Sequence, residues 1–122
     1  MKQRILLVDD DAAVRLTIKA VLELHGFEVD TAESSAQAIQ NLQAACYELV
    51  ITDVRMETDD AGRKVVDEAE RQKYRPTIAI LSAFPLDPTQ PGSHAVLVKP
   101  VGTQALVNRV KGLLAEHHQR RD

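Results

Sequence analysis

The sequence predicts a doubly wound α/β fold, in which helices cover both faces of a parallel sheet. Short apolar runs recur along the chain and alternate with segments of helical periodicity. Most of these runs are continuous, which is typical of strands buried on both faces of a parallel sheet. The links between segments are short, and strand–helix alternation with short links favours right-handed crossovers between parallel strands.

Five segments have the composition of strands. Four are continuous apolar runs, namely ILLV at 5–8, LVIT at 49–52, TIAIL at 77–81 and AVLV at 95–98. The remaining segment, FEVDTA at 27–32, alternates apolar and polar residues. Such alternation suits an edge strand with one face open to solvent, so we expect 27–32 at the edge of the sheet.

Four segments have the periodicity of helices, and each supplies an apolar face. Gly26 provides a stop for the first, Ser34 or Ser35 a cap for the second, and Thr103 precedes the last. The third covers roughly 62–73. The apolar faces consist, in order, of Val14, Ile18, Val21 and Leu22; of Ala38, Ile39, Leu42 and Ala45; of Val65, Val66 and Ala69; and of Leu106, Val110, Leu113 and Leu114.

Length and composition indicate one globular domain. A chain of 122 residues with 44% apolar residues is long enough for a single core. We therefore expect one domain over 1–122, with a frayed tail over 119–122.

Charge and hydropathy exclude several classes of function. The net charge of −3 gives no basic footprint for nucleic acid. No apolar run is long enough to cross a membrane, and the opening residues MKQR do not form a secretory signal. We expect a cytoplasmic protein that binds neither nucleic acid nor membrane.

Polar residues follow the ends of the predicted strands. Ligands of doubly wound sheets bind beyond the carboxyl ends of the strands, so these residues are candidates for a functional site. Asp11 is expected to serve as a helix N-cap instead. The candidates are Asp9 and Asp10 after the first strand, Asp53 at the end of the third, Ser82 after the fourth and Lys99 after the fifth.

Clustered carboxylates have a chemical use. Two like charges about 4 Å apart repel by roughly 4 kcal/mol at an effective dielectric of 20. Three carboxylates facing one ammonium would leave about two negative charges in excess, which a divalent cation with oxygen ligands, such as Mg²⁺, relieves. One carboxylate can then act as a nucleophile toward phosphorus, while a lysine and a hydroxyl stabilise the phosphoryl oxygens.

The set ILLVDDD, LVITD, TIAILSA and VLVKP resembles the CheY-like receiver domain of two-component response regulators, over about residues 4–118. The resemblance implies a flavodoxin-like sheet of five parallel strands in the order 2-1-3-4-5. It implies a signalling switch that takes a phosphoryl group from a histidine kinase or phosphotransfer protein and changes its protein contacts. Such a domain is not an enzyme beyond assisting its own phosphotransfer and slow autodephosphorylation.

The resemblance also implies the roles of the site residues. Asp53 accepts the phosphoryl group, Ser82 is the switch hydroxyl, and Lys99 pairs with the phosphate. The implied metal is Mg²⁺, or Mn²⁺ in its place, held by Asp9, Asp10, Asp53 and the backbone carbonyl of Arg55.

The stretch AFPLDPTQPGSH at 83–94 departs from the family pattern. Three prolines and Gly92 fall within eight residues, which no ordinary helix accommodates. The helix between the fourth and fifth strands is therefore expected to be absent or reduced. An apolar face left open over strand 4, the loop and strand 5 usually marks an interface, so we expect a downstream partner, a second copy or the loop itself to cover it.

Two further departures lie near the site. Val96 stands where receivers usually carry the aromatic residue that rotates with the hydroxyl, so that coupling cannot operate in its usual form. Glu57 stands where a proline usually follows Met56, which adds acid beside the site.

Two alternatives compete with a phosphorylatable receiver. A pseudo-receiver would keep the scaffold as an interaction or dimerisation module without phosphorylation. A small phosphatase of the D-x-D type is disfavoured, because Ala13 occupies the position that this motif gives to threonine or valine. The acidic cluster favours the phosphorylatable receiver, since a pure scaffold has no need of mutually repelling carboxylates.

Overall fold

Strands and helices alternate along the chain in the computed structural model, which describes residues 3–53, 61–82, 95–98 and 103–121. The elements are β1 Arg4–Val8, α1 Ala12–Leu24, β2 Glu28–Ala32, α2 Ser35–Ala44, β3 Leu49–Asp53, α3 Ala61–Arg71, β4 Thr77–Ser82, β5 Ala95–Val98 and α4 Thr103–Arg121.

The strands form one parallel sheet in the order β2-β1-β3-β4-β5. This arrangement confirms the predicted fold class, and β2 lies at an edge as its alternating pattern indicated. The chain moves from β1 outward to β2 and then returns to the other side of β1, so the strand order reverses between β1 and β3. Ligand sites of doubly wound sheets lie at this reversal.

Both faces of the central strands are buried, which explains their continuous apolar sequences. Ile5 and Leu7 of β1 belong to a core cluster with α1 and α4, whereas Leu6 and Val8 belong to a second cluster with α2 and α3. All four side chains are fully buried. Each such side chain stabilises the fold by about 1.5–3 kcal/mol, so this double burial anchors the strand that leads into Asp9.

Helix α1 has a defined cap at each end. The Asp11 carboxylate accepts hydrogen bonds from the backbone N–H of Ala13 and Val14 at 2.9 and 3.3 Å, which confirms its predicted role as N-cap. Gly26 ends the helix with a positive φ of 92°.

The bonds around Gly26 form a Schellman motif. The N–H of Gly26 donates to the carbonyl of Glu23 and that of Phe27 to the carbonyl of Leu22, at 3.1 and 3.2 Å. Phe27 therefore belongs to the helix terminus, and β2 begins one residue later than predicted. Phe27 and Leu22 pack together in the same core cluster.

Helices α2 and α3 cover the second face of the sheet. Ser34 caps α2, with its hydroxyl accepting from the N–H of Gln37 at 3.2 Å. Helix α3 ends at Arg71, two residues before the predicted boundary, because the chain turns there toward Arg75 with a positive φ of 47°. The hydroxyl of Tyr74 in this turn donates to the carbonyl of Leu42 at 2.9 Å and so ties the end of α3 to α2.

Helix α4 packs its predicted face against the sheet. Leu106, Val110, Leu113 and Leu114 are all buried. The helix extends to Arg121, into the segment expected to fray. The segment 83–94, where we expect a loop in place of a helix, lies outside the described residues. Within the described residues, no helix has both the length and the apolar character that crossing a bilayer requires.

Gly26 and Gly112 provide a matched pair for testing helix-terminus geometry. A Cβ at either position would meet nothing within 4 Å, so only backbone conformation separates them. We expect Gly26→Ala to destabilise the protein by about 1 kcal/mol or more, because alanine is strained at this φ. Gly112→Ala in the interior of α4 should stabilise it by about 0.5–1 kcal/mol. Urea unfolding measures both changes in stability. If both substitutions changed the stability in the same direction, the assigned helix terminus would be contradicted.

The two tyrosines are expected to determine how the stability of the protein falls at high pH. Burial raises the pKa of Tyr74 to about 12. Burial and the 2.7 Å hydrogen bond to Asp30 raise the pKa of Tyr47 further. Tyrosines in the unfolded chain ionise near pH 10. The contribution of the two raised pKa values to the free energy of unfolding is therefore complete below about pH 10, and it is lost as the pH rises through the pKa values of the folded protein. Urea midpoints from about pH 9 to about pH 11.5 should therefore fall more steeply for the wild type than for the Tyr47→Phe/Tyr74→Phe variant. Parallel curves would contradict these assignments.

Candidate functional site

Strand register brings the candidate carboxylates to one edge of the sheet. Val8 of β1 pairs with Thr52 of β3, and each is followed directly in the sequence by an aspartate, Asp9 and Asp53 respectively. Asp53 in turn pairs with Leu81, the residue before Ser82. Because β1, β3 and β4 are adjacent and parallel, the ends of all three strands meet at the point where the strand order reverses.

Three carboxylates converge there. Asp9, Asp10 and Asp53 each offer a carboxylate oxygen, and these oxygens lie within 4.8 Å of one another. Asp9 is fully buried, Asp53 is half-buried and Asp10 is exposed. At this spacing Asp9 and Asp53, when ionised, repel by about 3 kcal/mol at an effective dielectric of 20. The burial of the core strands holds the carboxylates together against this repulsion.

The backbone around Asp9 is held by several hydrogen bonds. Its N–H donates to the carbonyl of Ala32 at 3.1 Å, and its Oδ1 accepts from the N–H of Asp11 at 2.9 Å. Its carbonyl accepts from Nη1 of Arg15 at 2.8 Å. At Asp53, the carbonyl accepts from the hydroxyl of Thr52 at 3.1 Å. These bonds hold the backbone at Asp9 and one of its carboxylate oxygens in place, whereas the exposed Asp10 carboxylate is left to adjust.

The cluster fits a small divalent cation. Mg²⁺ takes oxygen ligands at 2.0–2.1 Å, so two of its ligands lie at most about 4.2 Å apart. Adjacent oxygens on an octahedral ion lie about 2.9 Å apart. The three carboxylate oxygens, which lie within 4.8 Å of one another, would therefore move closer together on binding one ion. Asp10 is exposed and faces solvent, which suits an ion that retains water molecules or binds a phosphoryl oxygen.

The structure brings together part of the predicted site. Asp9, Asp10 and Asp53 form the cluster, and Ser82 ends the neighbouring strand β4 with its backbone paired to Val98. Asp11 serves as a cap and not as a member of the cluster. Arg55 and Lys99 lie outside the described residues, as do the departures at Glu57 and in 83–94.

The contact between Arg15 and the backbone of Asp9 is not predicted by the sequence pattern. The position of Arg15 one helical turn after the N-cap Asp11 is a signal that it can reach back toward the preceding loop. A cationic residue on a helix surface is usually solvated, however, so this spacing alone does not distinguish it.

A family model of the response regulator receiver domain matches residues 5–111. The chain belongs to this family. It is thus a receiver domain of the kind found in the response regulators of two-component signalling.

Curated relatives are longer proteins. The chain is 31% identical over 120 residues to the transcriptional regulatory protein ResD of Bacillus subtilis, covering 95% of this chain and 50% of ResD. It is 34% identical over 116 residues to the transcriptional regulatory protein PrrA of Mycobacterium leprae, covering 91% of this chain and 49% of PrrA. The chain spans about half the length of these two relatives.

Solved structures show the same fold. The response regulator protein TrrA from Thermotoga maritima, in complex with Mg²⁺-BeF, matches with a TM-score of 0.79 and 31% identity, covering 91% of this chain and 98% of that one. The chemotaxis protein CheY4 of Vibrio cholerae matches with a TM-score of 0.83 and 25% identity, covering 93% and 99%. A CheY-like receiver domain protein from Methanospirillum hungatei, 23% identical with a TM-score of 0.87, covers 98% and 99% and supports the fold alone.

The carboxylate cluster predicts a specific response to metal. Mg²⁺ should raise Tm, because an ion that binds only the folded state stabilises it. Asp10→Asn should raise Tm without metal by relieving repulsion, and should reduce the rise that Mg²⁺ causes. Glu23→Gln, at the far end of α1, is the control and should retain the full rise. A full rise in Asp10→Asn, measured by thermal denaturation, would show that Mg²⁺ binds elsewhere.

Proposed function

We propose that this receiver domain accepts a phosphoryl group on Asp53 from a sensor histidine kinase or phosphotransfer protein, with Mg²⁺ or Mn²⁺ as cofactor. The observation that carries the proposal is the convergence of the Asp9, Asp10 and Asp53 carboxylates within 4.8 Å at the carboxyl edge of the sheet. The family membership of the chain supports the same reaction.

The three carboxylates suit different parts of this reaction. A carboxylate oxygen of Asp53 forms a bond to phosphorus while the bond from phosphorus to the imidazole nitrogen of the donor breaks, which yields an acyl phosphate and a neutral histidine once a proton is taken up. Asp9 is buried and fixed, so it provides a rigid metal ligand, whereas the exposed Asp10 can adjust. When bound by these residues and the carbonyl of Arg55, Mg²⁺ supplies positive charge to the phosphoryl oxygens.

Ser82 and Lys99 are proposed to complete the site. Ser82 at the end of β4 pairs with Val98 at the end of β5, and Lys99 is the next residue in the sequence. The Ser82 hydroxyl and the Lys99 ammonium would stabilise the phosphoryl oxygens as charge develops on them. In this role the hydroxyl reports the presence of the phosphoryl group to β4.

The proposed output is a change in protein contacts. The contacts would be made through β4, β5 and the segment that joins them in the sequence, with a downstream protein or a second copy of the chain as the partner. In this scheme 1–122 acts as one receiver domain in the cytoplasm, without binding nucleic acid or membrane directly, and is no enzyme beyond its own phosphotransfer and slow autodephosphorylation.

Incubation with acetyl phosphate and Mg²⁺, followed by intact-mass measurement, tests the acceptor. We expect the wild type to gain one phosphoryl group and Asp53→Asn to gain none, because an amide oxygen is a poor nucleophile. Asp11→Asn is the matched control: it removes a carboxylate from the same edge, but asparagine caps a helix as well as aspartate does. This variant should be phosphorylated like the wild type.

Two results would contradict the proposal. A phosphoryl group that persists in Asp53→Asn would place the acceptor elsewhere. No gain in the wild type, with acetyl phosphate or with a phosphohistidine donor, would instead indicate a pseudo-receiver that acts without phosphorylation.

A further inference from the structure

We propose that Arg15 is a positioning residue that fixes the peptide group between Asp9 and Asp10 and thereby aligns the carboxylates for a divalent cation. This inference rests on the proposed function, since it assigns a residue to the metal site used in that reaction. It adds a group that does not bind the metal or the phosphoryl group itself.

The side chain of Arg15 is largely buried and reaches two loops. Only 15% of it is exposed, which is unusual for an arginine near a helix surface. Its Nη1 donates to the carbonyl of Asp9 at 2.8 Å, and its Nη2 lies 4.0 Å from Oε2 of Glu33. Asp9 directly follows β1, and Glu33 directly follows β2. Arg15 therefore links the loops that leave the two strands.

Its hydrogen bond fixes the orientation of Asp10. The peptide bond is planar, so holding the carbonyl of Asp9 also holds the nitrogen of Asp10. The N–H of Asp9 is bonded to the carbonyl of Ala32 at 3.1 Å, so the backbone of Asp9 is held on both sides. Asp10 is exposed and has less packing to orient it than the buried Asp9. The direction of its carboxylate therefore depends on this peptide plane.

Charge and positioning predict opposite effects of removing Arg15. A guanidinium next to the metal site repels a cation, so its removal should tighten Mg²⁺ binding if charge alone matters. If Arg15 positions the carboxylates, its removal should weaken Mg²⁺ binding despite the loss of a positive charge. Outer partners of metal ligands typically account for 10–100-fold in metal affinity. The sign of the change in affinity thus separates the two effects.

Isothermal titration with Mg²⁺ tests the inference on the full chain. We expect Arg15→Met, which keeps the length of the side chain but removes charge and donors, to raise the Kd about tenfold or more. Lys19→Met is the matched control: it removes the same charge from the same helix, at a residue whose ammonium pairs with Glu23 at 2.9 Å. Its Kd should change less than about twofold, because Lys19 lies about 12 Å along the helix from the N-cap Asp11, which exceeds the Debye length of about 8–10 Å. Arg15→Lys, which keeps the charge and one donor group, should be intermediate.

Hydrogen exchange provides a second readout without metal. The N–H of Asp11 donates to Oδ1 of Asp9 at 2.9 Å, so a loosened loop should exchange this amide faster. We expect faster exchange at Asp11 in Arg15→Met and unchanged exchange in the core strand β3, which also shows that the variant is folded. If Arg15→Met does not fold, Arg15→Lys supplies the same comparison.

The outcomes separate this inference from the proposed function. A wild-type protein that does not bind Mg²⁺ would contradict the proposed function and this inference together. A wild type that binds Mg²⁺, with equal or tighter binding in Arg15→Met, would overturn the positioning role alone. An equal loss of affinity in Lys19→Met would also overturn it, because that residue lies away from the loop.

Discussion

The repulsion among three carboxylates is the constraint that the rest of this structure has to overcome. Asp9, Asp10 and Asp53 are held with oxygens within 4.8 Å of one another, an arrangement that free aspartates would avoid. The register of β1 on β3 sets this spacing, since Val8 and Thr52 are paired just before two of the carboxylates. A divalent cation bound at this edge would relieve the repulsion, and this relief would favour its binding.

The rest of the fold resists this repulsion. Apolar side chains on both faces of β1 and β3 are fully buried, so these strands cannot separate without exposing two cores. Asp11 contributes differently, because it caps α1 with its own carboxylate and offers its N–H to Asp9. Arg15 then binds the carbonyl of Asp9 from within α1. The short segment from Asp9 to Arg15 therefore contributes both to the stability of α1 and to the geometry of the site.

Sequence reasoning predicted the parts of the molecule that depend on local pattern. The continuous apolar runs of β1 and β3 predict buried strands, because a strand covered on both faces has no room for polar side chains. The alternation in 27–32 predicts an edge strand, and β2 lies at an edge of the sheet. Asp53 and Asp9 were found because residues that follow parallel strands converge at one edge. Phe27 was assigned to a strand because the Schellman motif that includes it depends on hydrogen bonds that the alternating pattern does not encode. Arg15 was missed for a similar reason, since a long side chain can point either to solvent or to a loop.

A structure determined with Mg²⁺ and beryllium fluoride, the ligands present in the TrrA complex, would show whether the three carboxylates hold a cation and a phosphoryl-like group together. We expect beryllium fluoride bound to the carboxylate of Asp53, with Mg²⁺ contacting Asp9, Asp10 and Asp53. Binding of both groups away from this cluster, or an acidic edge that remains empty at saturating Mg²⁺ and beryllium fluoride, would contradict this expectation.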